Sequence, residues 1–404
     1  MHTGHLVHTT LLAILFLAVL PVHAVTLAEA VQASLERHPE FRLAEARHKV
    51  EAGYRQQAES FLGGDPSVTL SATGDTVGSD FGYEEYVVGI SLPVLLPGQR
   101  SAKVAIADNM GRLADDDRKR LLWQVAGEVL ERAWQLRIAH AEFKESTKQW
   151  AAARALVQDI RHRHEVGEVS RNDLLLAQQD LITAEAGYQE ALNALQKARI
   201  AWRNYTGLDA FPDDLETFSA RKVEEKPAPH PRLAALVAQV ETARARTADA
   251  RAQRRASPVV SLFAKRDRGD RNQDYTDSLG LEVSMPLGTS APAAPAIAEA
   301  EAELTRAQAS LELARRELQL ELTKAEQEVA RATRLHLLAE QNHRLSLSRL
   351  KLAQRAFELG EMDLYQLLLA RRQSYQATRE LRLRKLEKAR ALARKNHVSG
   401  VIPR

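Results

Sequence analysis

Several things are missing from this 404-residue chain. It has no cysteine, which excludes disulfides, thiolate metal sites and a lipid carried on a cysteine. Aromatic residues make up only 5% of it, while Ala, Leu, Arg, Glu and Gln abound. That composition belongs to long packed helices and not to a single large globular core. No stretch reaches the roughly 20 apolar residues of a membrane-spanning helix. The formal charge is only +3, and no basic patch is interleaved with aromatics, so a nucleic-acid partner is not expected. The catalytic signatures G-x-S-x-G, G-x-G-x-x-G, the P-loop and H-E-x-x-H are absent, so the sequence offers no catalytic residue and no cofactor motif. His162 and His164, the one tight histidine pair after residue 24, stand two apart on a helix and so point to different faces. No metal site is expected from them.

Residues 1–24 read as a secretory signal peptide. Leu11 to Leu20 is almost wholly apolar, and Val22 and Ala24 hold the small-residue positions of a cleavage site. The first eight residues carry His2, His5 and His8 in place of the usual Lys or Arg.

The rest of the chain says the same thing twice, about 193 residues apart. His38-Pro39 answers His230-Pro231, Pro66 answers Pro258 and Pro93 answers Pro286. Gly167-Glu168 with Leu174-Leu175-Leu176-Ala177 recurs as Gly360-Glu361 with Leu367-Leu368-Leu369-Ala370. The first repeat is expected over 25–208, a linker over 209–229, the second repeat over 230–396 and a tail over 397–404.

Each repeat changes period partway. Helices near 27–37 and from Pro39 to about Leu62 give way at Gly63-Gly64-Asp65-Pro66. Val68, Leu70 and Ala72 then alternate with Thr69, Ser71 and Thr73, and a second alternation runs through Tyr86, Val88, Ile90 and Leu92. Strands are expected over about 66–74 and 84–92, then a helix over about 99–166, on the order of 100 Å long. A return helix covers about 170–205. The second repeat should copy the plan with a helix over 232–256, strands over about 258–266 and 277–286, a long helix over about 296–359 and a return helix over about 363–395. Leu304, Leu311, Leu318, Ala325 and Ala332 fall seven apart, and so do Leu338, Leu345, Leu352 and Leu359. Both rows read as coiled-coil seams.

Four short strands make a sheet with two open edges. In hydrocarbon those edges leave backbone groups unsatisfied at several kcal/mol each, so the strands can span a membrane only if several chains share one barrel. The fourth strand suits such a wall: Leu279, Leu281, Val283 and Met285 should face lipid, and Gly280, Glu282 and Ser284 a wet lumen.

These features together resemble the TolC-like outer-membrane efflux proteins, and within them the channels paired with heavy-metal resistance-nodulation-division (RND) pumps. The residues that carry the resemblance are Ser91-Leu92-Pro93 with Gly98-Gln99-Arg100, Ser284-Met285-Pro286-Leu287, the turns at Val166 to Ser170 and Leu359 to Asp363, and Tyr205-Thr206-Gly207-Leu208. The resemblance implies a mainly α fold with a small β part, a homotrimeric α-barrel tunnel and a shared 12-stranded transmembrane β-barrel. It implies the outer membrane of a Gram-negative bacterium, an inner-membrane RND-type pump and a periplasmic adaptor docking at the tips Gly167, Glu168, Val169, Ser170, Gly360, Glu361, Met362 and Asp363. An acidic residue six positions after the tip glycine constricts the tunnel in many members. Asp173 fills that position and Gln366 replaces it in the second repeat, so a double acidic ring is not expected. The expected function is a passive exit duct, with metal cations among its cargoes. A periplasmic coiled-coil adaptor or scaffold, and the outer-membrane channel of a type I protein secretion system, are the alternatives.

Overall fold

The computed structural model describes residues 25–220, 229–287 and 291–403. The signal-peptide reading of 1–24 and most of the Pro227-Ala228-Pro229 segment lie outside them. Helices α1 (Leu27–Arg37) and α2 (Pro39–Glu59) lead into strands β1 (Ser67–Gly74) and β2 (Glu84–Pro93). Helix α3 (Pro97–Glu165) runs 69 residues, about 100 Å, and α4 (Arg171–Thr206) returns beside it. After a short α5 (Leu215–Ala220) the plan repeats as α6 (Pro231–Ala252), β3 (Val259–Arg268), β4 (Thr276–Ser284), α7 (Ala294–Glu358) and α8 (Leu364–Val398).

Local chemistry explains the boundaries. Thr26 and Glu29 form a reciprocal capping box at the start of α1. Both His-Pro pairs act alike: proline takes the first helical position, and Nδ1 of His38 or His230 accepts from the amide two residues on, at 3.3 and 3.2 Å. Helix α2 stops at Glu59, short of the expected Leu62, because Leu62 is drawn out to pair with Val94 beside the sheet. Helix α6 likewise ends at Ala252 and not near 256.

The four strands form one antiparallel sheet in the order β1-β2-β3-β4. Its register puts Val68, Ile90, Leu262 and Leu281 in neighbouring rows, with Leu70, Val88, Ala264 and Leu279 beside them. On the opposite face Gly89, Phe263 and Gly280 align in one row. A Cβ on Gly280 would come within 2.2 Å of the Phe263 ring, so glycine is what lets that ring lie across the strand. Below it Ser91 and Ser261 share a hydroxyl hydrogen bond of 2.8 Å. At the root of the sheet, buried Gln99 donates to the Arg255 carbonyl at 2.6 Å and accepts from Ser257, tying the first repeat to the second.

The main core surrounds the middle of α3. Leu121, Val125, Val129 and Trp134 pack there with Leu27 and Val31 of α1, Leu195 and Trp202 of α4, Leu215 and Phe218 of α5, and Ala393 of α8. Helix α5 was not expected: six residues are too few to show a period, and burial against α8 and α3 holds it in place. Asp214 caps the α1 backbone at 2.8 Å, and Asn396 donates to the Phe218 carbonyl. The tail is also accounted for. Gly400 (φ 90°) ends α8 as Gly207 (φ 77°) ends α4, one repeat earlier.

One seam packs within the chain and the other does not. Leu311, Leu318, Ala325 and Ala332 are buried, while Leu338, Leu345, Leu352 and Leu359 stand 55–73% exposed. The second row is therefore not a seam inside the protomer, because α8 covers the other side of α7.

Candidate functional site

At the far end of the long helices the two turns have the same construction. Gly167 (φ 78°) and Gly360 (φ 75°) adopt the left-handed conformation that glycine takes without Cβ strain. Gly167 and Glu168 donate to the carbonyls of His164 and Arg163 at 3.0 and 2.8 Å, and Gly360 and Glu361 to those of Phe357 and Ala356 at 3.1 and 2.8 Å. Each is a Schellman motif. The returning helices are then capped. Ser170 accepts from the Asp173 amide and the Asp173 carboxylate accepts from the Ser170 amide, while Asp363 accepts from the Gln366 amide at 2.8 Å. Asp173 is thus engaged in a capping box, its carboxylate 2.6 Å from the Ser170 hydroxyl.

Both tips share one small core of Val157, Ile160, Ala177, Ala353, Leu364, Leu367 and Leu368. Arg163 bridges them, pairing with Glu168 at 3.0 Å while its guanidinium lies 5.3 Å from the Phe357 ring centre. Val169 and Met362 are half-buried against this core, so they belong partly to packing. Fully outside it are Glu168, Glu361, Val166 and Leu359, the last two being equivalent positions at 59% and 66% exposure. The sequence places both in the tip turns, but neither was among the residues expected to dock and Leu359 also read as a seam residue; their equivalence in the repeats was the available signal.

At the other end the sheet presents an apolar face to the outside. Val68, Leu70, Val88, Ile90, Leu262, Leu279, Leu281 and Val283 are all exposed. Met285 continues the row just beyond the end of β4. Toward the hairpin turns the same face ends in Tyr86 and Tyr275 with paired charges, Arg266 with Asp277 at 3.3 Å and Arg268 with Glu84 at 2.8 Å. Rings and ion pairs bounding an apolar band are what a membrane interface favours. The opposite face carries Thr69, Ser71, Glu85, Lys265, Ser278 and Glu282. Both outer strands, β1 and β4, leave an edge unpaired among the described residues.

The helices are open at their flanks as well. In the tip-side half α3 packs against α4 and α8, and α8 against α7, which leaves α4 and α7 on the outside. Those outer helices expose Leu175, Ile182 and Ile200 on α4, and Leu313, Leu320, Leu345 and Leu352 on α7. Among the described residues no helix is long and apolar enough to cross a membrane, and no cluster of His, Asp or Glu could hold a metal ion.

In the half-buried junction between α3, α6 and α8, His397 stacks on Trp123 at 4.7 Å and His230 meets the same ring edge-on at 4.9 Å. Trp123 Nε1 donates to the His397 carbonyl at 2.8 Å, and His397 Nε2 lies 2.9 Å from the Trp123 carbonyl. Burial depresses both imidazoles; His230, also repelled by His397, falls to about 4.

The profile of the family described as "Outer membrane efflux protein" matches residues 30–208. The cobalt-zinc-cadmium resistance protein CzcC of Cupriavidus metallidurans is 26% identical over 211 residues, and that match spans about half of each chain (49% of both). The fold is similar over nearly the whole length to two solved structures. The outer membrane protein VceC of Vibrio cholerae has a TM-score of 0.68 at 16% identity, covering 93% of this chain and 96% of its own. The MtrE outer membrane channel of Neisseria gonorrhoeae has a TM-score of 0.67 at 17% identity, covering 93% and 88%. The first repeat is thus similar in sequence to outer membrane efflux proteins, and the fold of the chain is similar to that of solved outer membrane channels.

Proposed function

We propose that three copies of the chain form an outer-membrane channel, the passive exit duct of a tripartite efflux system. One observation carries the reading: a four-stranded sheet has two open edges and an apolar outer face. Each edge strand is 8 or 9 residues long, and about half of its backbone groups point away from the sheet. At several kcal/mol for each unpaired group in hydrocarbon, the sheet cannot sit in a bilayer alone. Pairing β1 of one copy with β4 of the next removes every edge when the ring closes, and three copies supply twelve strands. The same closure covers the exposed leucine and isoleucine rows of α4 and α7.

On this reading residues 25–208 and 230–396 are two structural repeats joined by 209–229, and the helices form a periplasmic tunnel. The tips at Gly167 to Ser170 and Gly360 to Asp363 meet a periplasmic adaptor, and an inner-membrane pump supplies the energy. The duct needs no catalytic residue. Asp173 and Gln366 mark the narrow end, with the Asp173 carboxylate held by its own helix cap. Metal-cation cargo is supported by the likeness to CzcC. The test is reconstitution in planar bilayers: trimer-sized protein should open ion-conducting pores, and protein lacking residues 64–92 and 257–285 should not. A pore-free trimer would overturn the reading.

A further inference from the structure

A cavity of about 310 Å³ lies between α3 and α4 at the level of the main core. Its floor is apolar: Leu136, Leu195, the buried Trp202 and Phe211, with the Trp and Phe rings 6.1 Å apart. The loop after α4 forms one wall, fastened by the Trp202 indole donating to the Ala210 carbonyl at 3.1 Å. The mouth is mainly basic. Arg137, His140, Arg199 and Arg203 surround it with one carboxylate, Asp209, and Lys144 lies one turn beyond His140 on α3. Arg137 pairs with Glu216 at 2.8 Å and Arg203 with Asp209 at 3.4 Å, but Arg199 makes no ion pair or hydrogen bond among the described residues. Burial lowers the His140 imidazole, and Arg137, Arg199 and Lys144 lower it further by repelling a proton. An unmatched guanidinium at the rim of an aromatic cavity is complementary to one anionic group on an apolar body.

We propose that this cavity binds a small carboxylate with an aromatic or aliphatic body, the body against Trp202 and Phe211 and the carboxylate on Arg199. Position decides the source. The site lies about 40 residues along α3 from the strand end, or ~60 Å, and ~40 Å from the tips. A lipid still seated in a bilayer cannot reach it, so the occupant is a dissolved molecule. The volume is near the small end of ligand cavities, roughly 300–1,000 Å³, which favours a single-ring or medium-chain acid over a polymer. The exclusion of lipid rests on the proposed membrane position of the strands, whereas the cavity itself owes nothing to the strand edges or tips, so loss of pore formation and loss of acid binding are separate outcomes.

The test uses the full mature chain in lipid nanodiscs, which avoids detergent filling the cavity. Binding of 4-phenylbutyrate is measured by calorimetry beside the uncharged 4-phenylbutanol and a short peptide with a free C-terminal carboxylate. Phenylbutyrate should bind at least tenfold more tightly than the alcohol. Arg199→Glu should abolish that preference, and Arg199→Lys should keep most of it. Arg199 is exposed, so neither change disturbs the core. Equal affinity for acid and alcohol, wild-type binding by Arg199→Glu, no binding by any probe, or tighter binding by the peptide would each overturn the assignment.

Discussion

Replacing Leu281 by arginine probes the membrane-facing wall with the fewest confounding effects. Leu281 is central in β4, lies opposite Leu262, and is 70% exposed in the protomer. The folded chain outside the membrane therefore loses almost nothing when the leucine goes. In the proposed shared barrel the position meets hydrocarbon, where arginine near the midplane costs roughly 2–4 kcal/mol. Three copies carry the change, so the assembled barrel is destabilised by about 6–12 kcal/mol, comparable to the whole stability of many domains. The next residue points the other way: Glu282 lies opposite Ser261 on the polar face. Glu282→Gln should leave assembly intact. The assay is the amount of detergent-resistant trimer in purified outer membranes, with urea midpoints for whatever trimer forms. Circular dichroism should show normal helix content in both variants. If Leu281→Arg and Glu282→Gln assemble equally well, the face carrying Leu281 does not meet lipid, and the barrel argument fails with it.

Three further outcomes are expected. Leu345→Asp with Leu352→Asp alters residues more than 70% exposed in the protomer, so it should spare folding yet abolish the trimer, each leucine forfeiting about 1.5–3 kcal/mol of burial; a normal sedimentation profile would refute this. Val166→Asp with Leu359→Asp should keep the trimer in the outer membrane and lower crosslinking to the adaptor, whereas Val169→Asp with Met362→Asp should also lower the melting temperature, because those side chains pack on the tip core. His230 and His397 have depressed pKa values, so the unfolded chain binds protons first as pH falls; their stability contribution is full above pH 6.5 and is lost as pH falls below it, for the half-buried His230 down to about 4 and by about 1–3 kcal/mol in urea unfolding, and His230→Asn, which retains a cap acceptor, should flatten part of that loss.

The elements of this fold were legible because their signals are local. Period-two alternation marked β1, β2 and β4, the repeat marked β3, a long proline-free stretch marked α3, seven-residue spacing marked α7, and the doubled glycine turns marked the tips. What the sequence did not disclose depends on neighbours. Leu338, Leu345, Leu352 and Leu359 keep the spacing of a seam, but spacing does not say whether the partner is α8 or another chain. Val169 and Met362 look like turn residues, yet the shared tip core draws them inward. Helix α5 is too short to show a period, and the cavity beneath Arg199 joins α3 to residues about 60 positions away on α4 and its loop. Gly400 was the readable feature left unread, since Gly207 stands at the same point of the first repeat.

The central claim is that the strand edges of separate chains pair with one another, and the absence of native cysteine makes it directly measurable. Ser71→Cys on β1 and Ser278→Cys on β4 place one thiol on the polar face of each open edge. Treating outer membranes with a short bismaleimide should give covalent dimers and then trimers, with nothing larger, and neither single variant should go beyond dimers. Linkage confined within one chain, or a ladder continuing past three, would contradict a barrel closed by three copies.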